Sequence, residues 1–197
     1  MAAVQSTMRE LGSPAPDFTL PNLNGLVLSE IDSNVSLSEL AGKPLLVMFI
    51  CNHCPYVIHI AERMTELAND ALEKGFAVVA ISANDALNYP QDGPVAMSKF
   101  ARRYGFNFPY LYDESQQVAK AYEASCTPDF FVFDANRSLQ YRGQMDGARP
   151  SNSVEVTGDD LAAAINAVYS GYATNQDQVA SIGCNIKWKA GKQPDYF

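Results

Sequence analysis

Six apolar residues in a row, 45–50 (LLVMFI), run straight into Cys51-Asn52-His53-Cys54-Pro55. A strand that is apolar at every position, with no alternation, suits the centre of a mostly parallel sheet covered on both faces. Proline is tolerated in the first turn of a helix and poorly further in, so Pro55 sets a helix start beside the two cysteines. Val57, Ile60, Ala61, Met64, Leu67, Ala68, Ala71 and Leu72 follow at helical spacing, and Gly75 stops that helix. A second apolar run, 76–82 (FAVVAIS), completes a β-α-β unit whose crossover is expected to be right-handed. The cysteine pair therefore belongs between the end of a buried strand and the start of a helix.

The 197 residues suffice for one α/β domain with a sizeable core. Apolar residues at 47% against 18% charged exclude a disordered chain. With 14 basic and 22 acidic residues the net charge is −8, which argues against nucleic acid and anionic membrane surfaces as partners. No apolar stretch is long enough to cross a bilayer, and the first 18 residues lack the apolar core of a secretory signal, so a cytoplasmic protein is expected. In that compartment Cys51, Cys54, Cys126 and Cys184 are not expected to form a disulfide scaffold. A close Cys-x-x-Cys pair there points to redox chemistry or to metal. Zinc wants four ligands and the chain has one such pair, so neither metal nor cofactor is expected.

Along the chain, residues 1–11 show no pattern and are expected to be flexible, 12–171 form the domain, and 172–197 form a tail packed on it. Residues 13–25 read as an extended lead into a hairpin at Asn24-Gly25. A short helical turn in 36–44 closes at Gly42, and a helix over 95–105 ends at its own glycine. A short strand (108–113), a short helix (114–124), a strand–turn–strand (129–144) turning at Asn136, and a final helix (158–171) complete the order. The tail has no periodicity but carries Cys184 and Trp188.

At a helix N-terminus unpaired N–H groups and the dipole favour a thiolate, and Cys-x-x-Cys thiols titrate at roughly 3.5–7.5 against about 8.5 for free cysteine. Cys51 is expected at the edge of the first turn, open to attack, with Cys54 deeper as the resolving thiol. His53 either stabilises the thiolate further, which makes the couple more oxidising, or is a solvated loop residue.

The segments GSPAPDFTLPNLNG, GKPLLVMFICNHC, FAVVAISAND, YGFNFPYLYD, CTPDFFVFD and YRGQMDG, taken in order over residues 12–147, resemble the thioredoxin superfamily, in the branch joining AhpC/TSA peroxiredoxins to TlpA-type thiol oxidoreductases. The tail segment SIGCNIKWKAG is similar to the ending of peroxiredoxin-like proteins of that branch. The resemblance implies a thioredoxin fold with an N-terminal hairpin extension and a central insertion, its mixed sheet flanked by helices. It implies that Pro128 is the cis-proline facing the dithiol, that the Thr127 backbone pairs with a substrate segment, and that Cys126 lies nearby. Peroxiredoxins carry Thr-x-x-Cys-Pro; here Cys54-Pro55 match, but Cys51 stands where the threonine belongs, and Pro128 stands where an activating arginine is expected. Arg142 is the candidate replacement. Thioredoxins keep a buried acid on the strand before the dithiol, which 45–50 lacks, leaving His53 or water to take the proton.

The expected function is thiol–disulfide exchange by Cys51 and Cys54 through a mixed disulfide, on protein or small-molecule thiols and disulfides, with a thioredoxin- or glutathione-type electron donor. Two alternatives stand beside it: a thiol peroxidase with Cys54 peroxidatic and Cys51 resolving, and a non-enzymatic redox sensor. Cys126 and Cys184 are either accessory thiols or small buried packing residues.

Overall fold

The computed structural model describes residues 3–25 and 33–196. In chain order its elements are β1 (Ala3–Gln5), β2 (Thr19–Pro21), β3 (Asn34–Ser36), β4 (Leu45–Phe49), α1 (Pro55–Glu73), β5 (Ala77–Ser82), α2 (Pro94–Tyr104), β6 (Tyr110–Tyr112), α3 (Gln117–Ala121), β7 (Cys126–Thr127), β8 (Asp129–Phe133), β9 (Leu139–Gly143), α4 (Asp159–Tyr169) and β10 (Ile182–Asn185). Five strands make the main sheet in the order β6-β5-β4-β8-β9. β4 runs parallel to β5 and antiparallel to β8, so the sheet is mixed and β4 lies at its centre.

The unbroken apolar run of β4 follows from two covered faces. Leu46, Met48 and Ile50 pack into one core with residues of α1, α2 and α4. Leu45, Val47 and Phe49 pack into a second core with Phe18, Leu20, Val118, Ile186 and Trp188, contributed by the hairpin, α3 and the tail. Each fully buried side chain of this size is worth about 1.5–3 kcal/mol relative to exposure, which is why this strand holds the sheet. β2 and β3 pair as the two arms of the expected hairpin, while residues 26–32 of its connection lie outside the described residues. Among the described residues no helix is long and apolar enough to cross a membrane.

Both chain ends are built into a second sheet that the sequence did not indicate. Within 1–11, expected to be flexible, Ala3–Gln5 is a strand. It pairs antiparallel with β10, and Thr7 and Arg9 donate to the carbonyls of Glu123 and Ala121. The tail, which shows no periodicity, contributes β10, the middle strand of a second sheet ordered β1-β10-β7. Strands of two to four residues are too short to declare a period-two pattern, and their stability comes from the ladder on either side.

Candidate active site

Cys51 follows the end of β4, and Cys54 is the N-cap residue of α1, whose first residue is Pro55. The strand-to-helix passage seen in the sequence therefore builds the dithiol. The third component is β7: Thr127-Pro128 is a cis peptide, and Cys54 Sγ donates to the Thr127 carbonyl at 3.1 Å. Cys51 Sγ lies 3.3 Å from Thr127 Oγ1. All four cysteines are free thiols, and all four are buried. Cys51 is only 2% exposed and Cys54 is fully enclosed, so Cys51 is not presented at the surface as its place before the first turn suggested.

The electrostatics divide the pair. The Cys54 thiolate is favoured by the thiol of Cys184, then by that of Cys51, and by the backbone N–H groups of Val57 and Cys184, which together outweigh burial and hold it well below the ordinary cysteine value. Cys51 moves the other way: its proton is donated to Cys54, burial opposes its ionisation, and the Asp92 carboxylate repels a second negative charge. These groups favour ionisation of Cys54 ahead of Cys51; in the geometry shown the Cys54 thiol still holds its proton on the Thr127 carbonyl, and losing that proton frees the sulfur to attack.

Asp92 is the residue the sequence did not disclose. Fully buried, it accepts from the backbone N–H of Asn52 at 2.8 Å and of His53 at 3.3 Å, from Asn84 Nδ2 at 2.8 Å, and pairs with His53 Nδ1 at 2.6 Å. One carboxylate therefore fixes the loop between the cysteines. Its only sequence signal is its place in the loop after a central strand, where α/β proteins gather site residues. His53 is half-buried and stacked on Tyr89 with ring centroids 5.9 Å apart, not a free loop residue. The sulfur of Cys51, a ring nitrogen of His53 and a carboxylate oxygen of Asp92 lie within 4.8 Å of one another. That set is one ligand short of tetrahedral zinc, and both Asp92 oxygens already serve N–H donors.

Other candidates fall elsewhere. Cys126 Sγ points at the carbonyls of Pro128 (3.6 Å) and Ser181 (4.0 Å), not at a thiol, and burial followed by the nearby Asp129 carboxyl pushes its thiol well up. Arg142 donates to the Arg9 carbonyl and to Gln178, so its charge is committed outside the thiol cluster. The Thr127 edge, expected to receive a substrate strand, is taken by the chain's own β10, with Cys184 opposite Thr127 and Asn185 opposite Cys126. This brings Cys184 to the dithiol.

The buried acid missing from β4 occurs on β8. Asp129 is fully buried and, among the described residues, no side chain bonds to either carboxyl oxygen; burial raises its pKa well above the carboxylate range, against a smaller lowering by the Phe130 backbone N–H. Because the folded value exceeds the unfolded one, stability is expected to fall as pH rises from about 3.9 to the folded value, by about 1.4 kcal/mol per unit, and then to level off. Asp129→Asn should match the wild type at pH 4 and exceed it at pH 7 in urea denaturation. Parallel pH profiles for the two chains would show that Asp129 is not the cause.

Fold and site together define a thioredoxin-fold protein whose Cys-x-x-Cys pair opens the first long helix against a cis-proline turn. Residues 11–142 match the AhpC/TSA family, and the chain belongs to it. It is 28% identical over 136 residues to thiol-disulfide oxidoreductase ResA of Geobacillus kaustophilus (strain HTA426), a match covering 69% of this chain and 70% of that protein. It is 28% identical over 123 residues to ResA of Bacillus subtilis (strain 168), covering 62% of this chain and 61% of the relative. Among solved structures, an uncharacterized conserved protein from Geobacillus kaustophilus superposes with a TM-score of 0.90 at 46% identity, covering 96% of this chain and 98% of the other. A thiol:disulfide interchange protein DsbE from Chlorobium tepidum shares the fold, with a TM-score of 0.58 at 22% identity over 81% of this chain and 98% of that one.

Proposed function

We propose that this oxidoreductase exchanges thiols and disulfides through Cys51 and Cys54. The observation that carries the reading is the gathering of both thiols on one residue: Cys54 Sγ donates to the Thr127 carbonyl at 3.1 Å and Cys51 Sγ lies 3.3 Å from Thr127 Oγ1, beside the cis bond to Pro128. The sequence expectation has Cys51 attack first; the groups that favour a Cys54 thiolate and the Asp92 carboxylate that opposes one on Cys51 favour the reverse order. In this reading the Cys54 thiolate attacks one sulfur of a substrate disulfide, and the other leaves as thiolate. Cys51 loses its proton and attacks the Cys54 sulfur, releasing the second substrate thiol and closing Cys51–Cys54. A glutathione- or thioredoxin-type thiol reverses the step. The ResA relatives, named for thiol–disulfide oxidoreduction, support the reaction class. The cytoplasmic setting belongs to the proposal, and alkylation of the thiols in intact cells checks it.

The peroxidase alternative needs a cation to polarise the peroxide. The groups that most favour the Cys54 thiolate are neutral S–H and N–H donors, and Arg142, the candidate cation, is committed to the Arg9 carbonyl and Gln178. Reduced protein mixed with oxidised glutathione is expected to give a Cys51–Cys54 disulfide by peptide mapping, while hydrogen peroxide reacts no faster than with a free thiol. A fast stoichiometric reaction with peroxide through a trapped Cys54 sulfenic acid would make the protein a peroxidase. Oxidation without turnover in the presence of a reductant would make it a sensor.

A further inference from the structure

Cys54 has two thiol neighbours, and the exchange reading uses only one. The second, Cys184, sits on β10 directly opposite Thr127, the residue whose carbonyl receives the Cys54 thiol at 3.1 Å. That register sets Cys184 beside Cys54, with both side chains buried in the same core, and the Cys184 thiol is the first of the groups that lower the Cys54 value. The tail reaches this close because residue 183 is glycine: a Cβ there would stand 2.6 Å from the Thr127 carbonyl carbon and closer still to its oxygen. The strand is fixed on both sides. Ala3 pairs with Cys184, Ile186 N–H donates to the Ser125 carbonyl at 3.1 Å, and Lys187 N–H donates to Asn84 Oδ1 at 2.8 Å. A packing cysteine needs none of this, whereas a thiol held against another sulfur is positioned to react with it.

We propose that Cys184 is a third redox thiol of the site, resolving a mixed disulfide on Cys54 to form a Cys54–Cys184 disulfide. The proposal rests on the exchange reading and extends it. With a low-molecular-weight disulfide R–S–S–R as oxidant, the Cys54 thiolate displaces one R–S⁻. Cys184, on giving up its proton, attacks the Cys54 sulfur; the Cys54–S–R bond breaks and its electron pair leaves on the second R–S⁻, which takes up the proton. Two electrons have passed from the protein thiols to R–S–S–R. Attack by the Cys51 thiolate on Cys54 then shifts the disulfide to Cys51–Cys54 and returns the electron pair to Cys184, with no net redox change. The tail strand is thereby covalently joined to the start of α1 and released again within one cycle.

The test uses oxidised glutathione on reduced full-length Cys51→Ser, with acid quench, intact mass and peptide mapping. The expected result is a transient glutathione adduct on Cys54 that decays to a Cys54–Cys184 disulfide, at least about tenfold faster than the adduct of Cys51→Ser/Cys184→Ser. A persistent adduct in Cys51→Ser, or a folded Cys51→Ser that does not react while the wild type does, overturns the proposal. If Cys51→Ser does not fold, partial oxidation of the wild type followed by alkylation decides. Molecules with Cys51 alkylated and Cys54–Cys184 joined support the proposal, and Cys184 alkylated in every oxidised molecule overturns it. A wild type that gives no protein disulfide at all fails the exchange reading itself. A wild type that closes Cys51–Cys54 beside a stalled Cys51→Ser fails only the role of Cys184.

Discussion

Gly183→Ala is expected to lift the tail strand from the Thr127 edge and turn enclosed thiols into accessible ones. The added methyl meets the Thr127 carbonyl carbon at 2.6 Å and the Pro128 nitrogen at 3.1 Å. These are backbone atoms of the turn that faces the dithiol, so no flexible side chain can give way. Overpacking of this kind costs typically 1–3 kcal/mol, and a cost near 2 kcal/mol multiplies the locally open population roughly 30-fold. Cys54 and Cys184 are both enclosed, so their alkylation by a neutral reagent reports that opening. The expected outcome is a rate increase of about that size, with faster hydrogen exchange at the amides of Cys184 and Ile186, which bond into the ladder and to Ser125. Gly147→Ala is the control: its nearest neighbour is a Val154 methyl at 3.8 Å, ordinary contact, and neither readout should move. An unchanged alkylation rate in Gly183→Ala would mean that the tail does not gate the thiols.

The same strand shows what was legible in the sequence. The central strand, the helix begun at Pro55 and stopped at Gly75, the β8–β9 pair and the cis-proline turn each carry a local signature, such as an apolar run, a proline or glycine at a boundary, or a matched motif. The pairing of Ala3 with Cys184 joins the two ends of the chain through four residues of one and three of the other, and no local pattern encodes it. The tail's glycine was visible but its reason was not, because that reason is a carbonyl more than fifty residues away in the chain. Asp92 was hidden for the same cause. A loop aspartate reads as solvated, and only the fold shows it buried and holding the Asn52 and His53 backbone. The site's chemistry was thus readable where it is local, at Cys51 and Cys54, and unreadable where it depends on long-range closure.

Cys54→Ser is expected to abolish the low-pH thiol reactivity of the protein, whereas Cys51→Ser is expected to keep it. In the reduced wild type Cys54 is held below the ordinary value by the thiols of Cys184 and Cys51 and by two backbone N–H groups, so its alkylation should change little with pH down to about 6. A serine at 51 still offers an O–H donor, and that plateau should persist. With serine at 54 the remaining thiols have lost their acceptor. Cys51 is left with burial and the Asp92 carboxylate, both opposing ionisation, and its thiolate fraction at pH 6 is that of a group at or above about 8.5. Even after allowance for the weaker intrinsic nucleophilicity of a low-pKa thiolate, the rate at pH 6 should fall at least about tenfold. Linkage gives the matching stability test. The folded value of Cys54 lies below the unfolded one, so the reduced protein gains stability as pH rises between the two, by about 1.4 kcal/mol per unit. That gain is complete above about 8.5 and is lost as pH falls toward the folded value; the disulfide form and Cys54→Ser lack it. Reduced wild type should therefore melt higher than the oxidised form by a margin that grows from pH 6 to pH 8, the behaviour of an oxidising couple. If instead Cys51→Ser loses the plateau and Cys54→Ser keeps it, the thiolate rests on Cys51 and the order of attack reverts to Cys51 first.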